Sequence, residues 1–312
     1  MTADPAEPRT AVMLMAYGTP RTRDDIRPYY TDIRRGRPPT QEQLDQLVAR
    51  YEAIAPEGGD ILSPLAERTE SQRRALQAAL DDLAPDRYRV ALGLKHAHPM
   101  IEETVQELAA GGVEHIVCLV LAPHFSAFSV GQYLGRVRSA AEPHDVAVTA
   151  VESWATEPAL LELLASDLTA KLAAMPHGTM VLFTAHSLPQ RILDSGDPYP
   201  DELRATAEAV AALAGIDPAQ WSIAWQSAGR TPEPWLGPDI LEVIDGLADG
   251  GAPGVVVCAC GFVADHLEVL YDLDIEASAR AASRGMEFAR TACVNDDTAV
   301  MAALARRVVA AT

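Results

Sequence analysis

Two short apolar runs in this chain each deliver a metal-liking, proton-handling residue to the point where a strand would give out. Residues 179–189 read Thr-Met-Val-Leu-Phe-Thr-Ala-His-Ser-Leu-Pro and present His186. Residues 254–268 read Gly-Val-Val-Val-Cys-Ala-Cys-Gly-Phe-Val-Ala-Asp-His-Leu-Glu and present Glu268 at the start of a helix. A neutral imidazole suits borderline divalent ions such as Fe²⁺, Co²⁺ or Zn²⁺. A carboxylate brought beside it could share the ion or accept a proton. Glu268 also opens a ladder with Asp272 and Glu276, four residues apart and so on one helical face. A solvated acidic face is the plainer reading of that ladder, and a loop hydrogen bond the plainer reading of His186. Their shared position at strand mouths favours the chemical reading, and more so if the helix widens locally to π geometry.

The first half of the chain carries candidates of another kind. Arg34, Arg35 and Arg37 place three guanidinium groups within four residues. Arginine grips carboxylates two-pronged, so the cluster fits a small polyanion as well as it fits a surface charge run. Tyr17 ends the first apolar run, Lys95 and His96 end the second, and Ser63, Ser126 and Tyr133 stand in comparable places.

Positioning these residues calls for alternating strands and helices. Near-continuous apolar runs at 11–16, 88–94, 115–122, 146–151, 179–185, 222–226 and 254–261 read as strands of parallel sheets covered on both faces. Amphipathic stretches at 41–54, 64–83, 100–110, 130–141, 158–173, 201–214, 238–247, 268–284 and 297–310 read as helices. The fold class expected is α/β: two Rossmann-like domains, each a parallel β-sheet flanked by helices, with a cleft between them. A weak repeat supports two similar halves. The segment 14–20 parallels 182–189, 91–96 parallels 223–227, and 118–125 parallels 256–262. The expected division is 11–122 plus 296–312 for the N-terminal domain, completed by the last helix, 123–295 for the second, and 1–10 as a frayed tail.

Composition narrows the function. The 312 residues are 48% hydrophobic and 22% charged, with a net charge of −19. Such acidity argues against nucleic acid as a partner. No apolar run is long enough to span a bilayer, the N-terminus has no signal-like core, and four cysteines are too few for a disulfide framework. A cytoplasmic enzyme is expected. A nucleotide enzyme is disfavoured, because neither Gly-x-Gly-x-x-Gly nor a Walker-type loop follows a strand. Ser187 lies in no Gly-x-Ser-x-Gly elbow, so a hydrolytic triad is a poor fit.

At this point the sequence resembles the ferrochelatases, and among them the Gram-positive type that acts on coproporphyrin III. The likeness rests on segments 13–20, 29–37, 50–54, 62–66, 93–96, 121–130, 185–189, 196–200, 225–227, 231–239 and 261–272, and covers about 11–311. It implies a class II chelatase fold and a reaction in which Fe²⁺, a substrate, enters coproporphyrin III to give coproheme and two protons. His186 and Glu268 match the family's inner catalytic and metal-handling pair, with Tyr17 on the opposite face of the macrocycle. Asp272 and Glu276 match outer acids, and Arg50 with Glu276 an outer cation site that could take an accessory Mg²⁺. Arg34, Ser63, Ser126 and Tyr133 match positions that hold propionates, with Arg35, Lys95 and His96 alongside. Some relatives hold a [2Fe–2S] cluster; Cys118, Cys258, Cys260 and Cys293 lack its grouping, so none is expected. A monomer is expected, with at most transient contacts to neighbouring heme-pathway enzymes. The alternatives are a protoporphyrin ferrochelatase, a cobalt chelatase of the same fold, or a non-catalytic carrier of tetrapyrrole or metal.

Overall fold

The computed structural model describes residues 9–55, 63–229 and 231–312. The chain divides into two compact units, the first of residues 1–122, 129–153 and 295–312, the second of 123–128 and 154–294.

In the first unit, β1 (Thr10–Ala16), β2 (Tyr88–Leu94), β3 (His115–Val120) and β4 (Ala147–Val151) form a wholly parallel sheet in the order β2-β1-β3-β4. The central strand β1 is buried almost end to end, which explains its unbroken apolar run. Helices α1 (Ile26–Ile33), α2 (Gln41–Ile54), α3 (Leu65–Leu83), α4 (Ile101–Ala110) and α5 (Val130–Ala141) join and cover these strands. Thr40 caps α2, its hydroxyl accepting from the Gln43 amide at 3.2 Å.

In the second unit, β5 (Met180–His186), β6 (Trp221–Gln226), β7 (Gly254–Cys258) and β8 (Glu287–Arg290) repeat the pattern, again all parallel, in the order β6-β5-β7-β8. Helices α6 (Pro158–Ala173), α7 (Tyr199–Ala214), α8 (Ile240–Asp249), α9 (Leu267–Leu270) and α10 (Ser278–Ser283) surround it, and a π-helical stretch, Asp272–Ala277, lies between α9 and α10. The final helix, α11 (Thr298–Ala310), packs on α3 in the first unit, burying Val300, Leu304 and Val308. The internal repeat in the sequence thus corresponds to one strand order used twice. In each sheet the strand order reverses between the first and third strands, at β1/β3 and at β5/β7, and such switch points are where α/β sheets bind ligands.

Three expectations need correction. Residues 129–153 belong to the first unit, because β4 pairs with β3 and only 123–128 pass to the second unit. Strand β8 was missed: it is a four-residue edge strand, half-exposed, with no continuous apolar run. The start of the chain is ordered sooner than a tail of ten residues allows, since β1 begins at Thr10 and the Arg9 side chain pairs with Glu114 at 2.6 Å; residues 1–8 lie outside the described residues. Among the described residues, no helix is long and apolar enough to cross a membrane.

Candidate metal-handling and porphyrin-binding residues

The second unit's switch point brings His186 and Glu268 together. His186 ends β5, and Glu268 arrives through the loop that follows β7. That loop comes in close: the Gly261 amide donates to the Thr184 carbonyl at 3.0 Å. A Cβ at position 261 would lie 2.4 Å from the Cβ of Ala185, so only glycine allows the approach. The outcome is His186 Nε2 at 3.5 Å from Glu268 Oε1, with the two side chains 33% and 34% exposed.

A second imidazole completes the arrangement. His266 Nε2 lies 3.6 Å from Glu268 Oε2, so the carboxylate stands between two rings. Burial opposes the Glu268 charge, but the flanking imidazoles outweigh it and hold the carboxyl well below its usual range. Burial likewise pushes His186 down, yet the Glu268 charge and hydrogen bond prevail, and its affinity for a proton ends above that of an ordinary imidazole. His186 Nδ1 faces the Ser187 carbonyl, which fixes the ring, and the Tyr199 hydroxyl donates to the His186 carbonyl at 3.0 Å. Trp235 stands with its ring centre 6.4 Å from that of the imidazole.

The mouth of β6 secures the acid ladder. Gln226 Nε2 donates to the Glu268 carbonyl at 2.8 Å, and the Ser227 hydroxyl donates to the buried Asp272 carboxylate. Ser227 adopts a left-handed backbone (φ 59°), an uncommon conformation for serine that turns the chain at the strand end. Beyond it the helix widens: the Tyr271 carbonyl accepts from Ile275 at 3.3 Å and from Glu276 at 2.9 Å. A regular α-helix rotates residues four apart by about 40° per step, and one wide turn takes up that drift along Glu268, Asp272 and the exposed Glu276. Among the described residues, no three His, Cys, Asp or Glu side chains converge as a ready metal cage.

In the first unit, Tyr17 follows β1 and is 41% exposed. Its ring lies 4.5 Å from that of His96 and 6.5 Å from that of Tyr29. His96 Nδ1 pairs with Asp32 at 2.6 Å. Lys95 Nζ lies over the rings of Tyr133 (5.1 Å) and Tyr17 (5.8 Å) and donates to Gln132 at 2.8 Å. Burial, reinforced by the charges of Arg136 and Arg35, lowers the Lys95 ammonium to about 8. Arg34 stacks on Tyr30 at 5.6 Å, while Arg35, in a left-handed conformation (φ 57°), is exposed. The first unit therefore gathers Tyr17, Lys95, His96 and Tyr133 at the mouths of β1 and β2, with the arginine turn after α1. Arg50 is half-buried near the end of α2, in the first unit, whereas Glu276 belongs to the second.

Two of the expected propionate ligands are otherwise engaged. Ser126 is fully buried; its hydroxyl donates to Asp197 at 3.0 Å and accepts from the Phe128 amide at 3.0 Å. It pins the 123–128 crossing to the second unit. Buried Ser63 accepts from the Leu65 amide at 3.3 Å at the start of α3. Sequence reasoning missed His266, Tyr199, Gln226 and Ser227. His266 had a signal, an imidazole two residues before an assigned carboxylate. The others act through partners 13 to 45 residues away, which no local pattern reveals.

The four cysteines are free and buried. Burial pushes the thiols of Cys118 (to about 12) and Cys293 up, as for structural rather than reactive thiols.

Comparison with known proteins follows the same lines. The model of the family described as "Ferrochelatase" matches residues 9–312. A ferrochelatase of Herpetosiphon aurantiacus is 43% identical over 297 residues, covering 93% of this chain and 95% of its own. A coproporphyrin III ferrochelatase of Halalkalibacterium halodurans is 44% identical over 287 residues (90% of each), and that of Bacillus subtilis 41% over 304 residues (95% and 96%). Among solved structures, SirB from Bacillus subtilis with Fe³⁺ aligns with a TM-score of 0.52 at 12% identity, over 96% of this chain and 94% of its own. CbiX, the terminal enzyme for siroheme biosynthesis in denitrifying bacteria, aligns with a TM-score of 0.52 at 14% identity, over 97% and 99%. These two likenesses bear on the fold alone.

Proposed function

This chain belongs to the ferrochelatase family, and from that premise we propose that it inserts Fe²⁺ into coproporphyrin III, forming coproheme with release of two protons as a step of heme biosynthesis. The observation that carries the reading is the His186–Glu268 pair, 3.5 Å apart and open enough to meet a ligand, at the switch point of the second sheet. Insertion breaks two N–H bonds and forms four metal–nitrogen bonds, so it needs proton acceptors at the ring centre. His186, with its proton affinity raised by Glu268, takes the two protons in turn and passes each to solvent, and the ionised Glu268 steadies the transient imidazolium or the incoming cation. Asp272 and Glu276 extend the carboxylate path by which the ion is supplied, and Tyr17 attends the opposite face of the ring.

The four carboxylates of the substrate explain the basic groups of the first unit. Arg34, Arg35 and Lys95 are assigned to its propionates, with His96 and Tyr133 beside them. Binding energy gathered at that periphery can be used to bend the macrocycle and expose its nitrogens. Arg50 and Glu276 are assigned to an outer cation site that could take Mg²⁺. The enzyme works without an iron–sulfur cluster in this reading, because Cys118, Cys258, Cys260 and Cys293 lack the grouping of cluster ligands, and as a cytoplasmic monomer that meets neighbouring pathway enzymes transiently.

The test is anaerobic turnover with coproporphyrin III and Fe²⁺ followed by absorbance, with protoporphyrin and Co²⁺ run in parallel. Fe²⁺ with coproporphyrin III is expected to be the fastest pair, and His186→Ala to abolish insertion while still binding porphyrin. Faster insertion with protoporphyrin or Co²⁺ would identify a different chelatase, and binding without insertion a carrier.

A further inference from the structure

Arg290 closes β8, the edge strand of the second sheet, and the chemistry above makes no use of it. Its side chain is only 15% exposed and is shared by two carboxylates that flank Glu268 along the chain. Asp265 lies in the loop entering α9, with Oδ1 3.1 Å from Nη2. Asp274 lies in the π turn and accepts a two-pronged grip, from Nε at 2.5 Å and from Nη2 at 2.9 Å. Nη1 donates to the Thr291 carbonyl at 3.1 Å, so every nitrogen of the guanidinium is engaged. The backbone of Arg290 is itself set on the sheet, in register with Val257 of β7.

A π turn is a rare local form that persists where its surroundings dictate it. Gln226 and Ser227 hold its Glu268 and Asp272 end. The next anchor along the helix is Asp274, and it leads to Arg290. The geometry points to Arg290 as a positioning residue for metal insertion: by bracing the loop before Glu268 against the π turn after it, the guanidinium keeps the wide turn open and the Glu268–Asp272–Glu276 ladder aligned. This inference rests on the ferrochelatase reading. Arginine suits the place because one planar fork can serve two carboxylates, whereas a lysine offers a single point charge. Without it, the part-buried Asp265 and the exposed Asp274 would lose the cation they share, and the loop would no longer be tied to the turn.

The experiment compares Arg290→Ala, Arg290→Lys and Asp274→Ala with the wild type. It measures kcat and the KM for Fe²⁺ with coproporphyrin III, porphyrin affinity by fluorescence quenching, and fold by circular dichroism. Removal of such a supporting contact is expected to lower kcat about 10–100-fold. Porphyrin affinity should stay within about twofold, since its assigned ligands lie in the first unit, and Arg290→Lys should remain nearer to Arg290→Ala than to the wild type. A purely structural role would instead degrade fold, affinity and kcat together. If Arg290→Ala does not fold, Asp274→Ala decides, because Asp274 is exposed and its loss leaves the Arg290–Asp265 pair in place. Wild-type kcat in Asp274→Ala, or a fall in kcat matched by an equal fall in porphyrin affinity, overturns the inference. Failure of the ferrochelatase reading is distinguishable, because the wild type itself would then insert no iron.

Discussion

Glu268→Gln should reverse the acid–base character of His186. The substitution keeps the shape of the side chain and removes its charge 3.5 Å from Nε2. At that separation two unit charges interact by about 1 kcal/mol under bulk-water screening and about 5 kcal/mol at the screening common near protein surfaces. Both side chains are about one-third exposed (33% and 34%), which favours the lower part of that range. A coupling of about 2 kcal/mol is enough to lower the imidazole titration clearly once the charge is gone. In the wild type the elevated folded-state titration contributes stability that is complete below the ordinary value of 6.5. That contribution is lost as pH rises through the raised folded value. In the variant burial acts with far less opposition, so the titration should drop and this decline of stability with rising pH should disappear. Histidine ring NMR against pH measures it directly, with His186→Ala identifying the resonance among the eight histidines. Melting temperatures across the same range provide the second readout. An imidazole that titrates in Glu268→Gln at or above its wild-type position would refute the assigned coupling, whatever happens to turnover.

Other expectations follow from single features. Gly261→Ala places a methyl group 2.4 Å from the Cβ of Ala185 and should cost about 1–3 kcal/mol, lowering the melting temperature by several degrees; an unchanged melting curve would show that the two strand mouths need not touch. Lys95, with its ammonium lowered to about 8, should release coproporphyrin III progressively between about pH 7 and 9, while Lys95→Arg should bind evenly across that range in fluorescence titrations. A flat wild-type profile would remove Lys95 from the propionate ligands. Arg34→Ala should weaken coproporphyrin binding by about 10–100-fold, the loss of one charge-assisted contact, and leave the KM for Fe²⁺ nearly unchanged; unaltered porphyrin affinity would contradict the role given to the arginine turn.

The sequence made some of this legible for physical reasons. Strands buried on both faces must be continuously apolar, which exposed β1, β3, β5 and β7 and with them the placing of His186 at a strand end. The four-residue spacing of Glu268, Asp272 and Glu276 marked a shared face before the π turn was seen. What escaped notice lacks a local signature. Helix α1 is only eight residues long, buries only Ile26 and contains Pro28, so it offers little apolar signal. Strand β8 is short, half-exposed and at an edge. The grip of Arg290 on Asp265 and Asp274, and that of Tyr199 on His186, exist only once distant segments have folded together. The bond from the Ser126 hydroxyl to Asp197, 71 residues away, is hidden from any local pattern in the same way.

The interleaving of the two units has a consequence for biogenesis. Most of the second unit is one uninterrupted stretch, 154–294, while the first recruits α11 from the far end of the chain to cover α3. Chains usually mature from the N-terminus as they leave the ribosome. Here the half that begins first closes after the second, because Val300, Leu304 and Val308 of α11 seal it only once they have emerged. Until then the chain would hold a completed second unit and a first unit still open along α3.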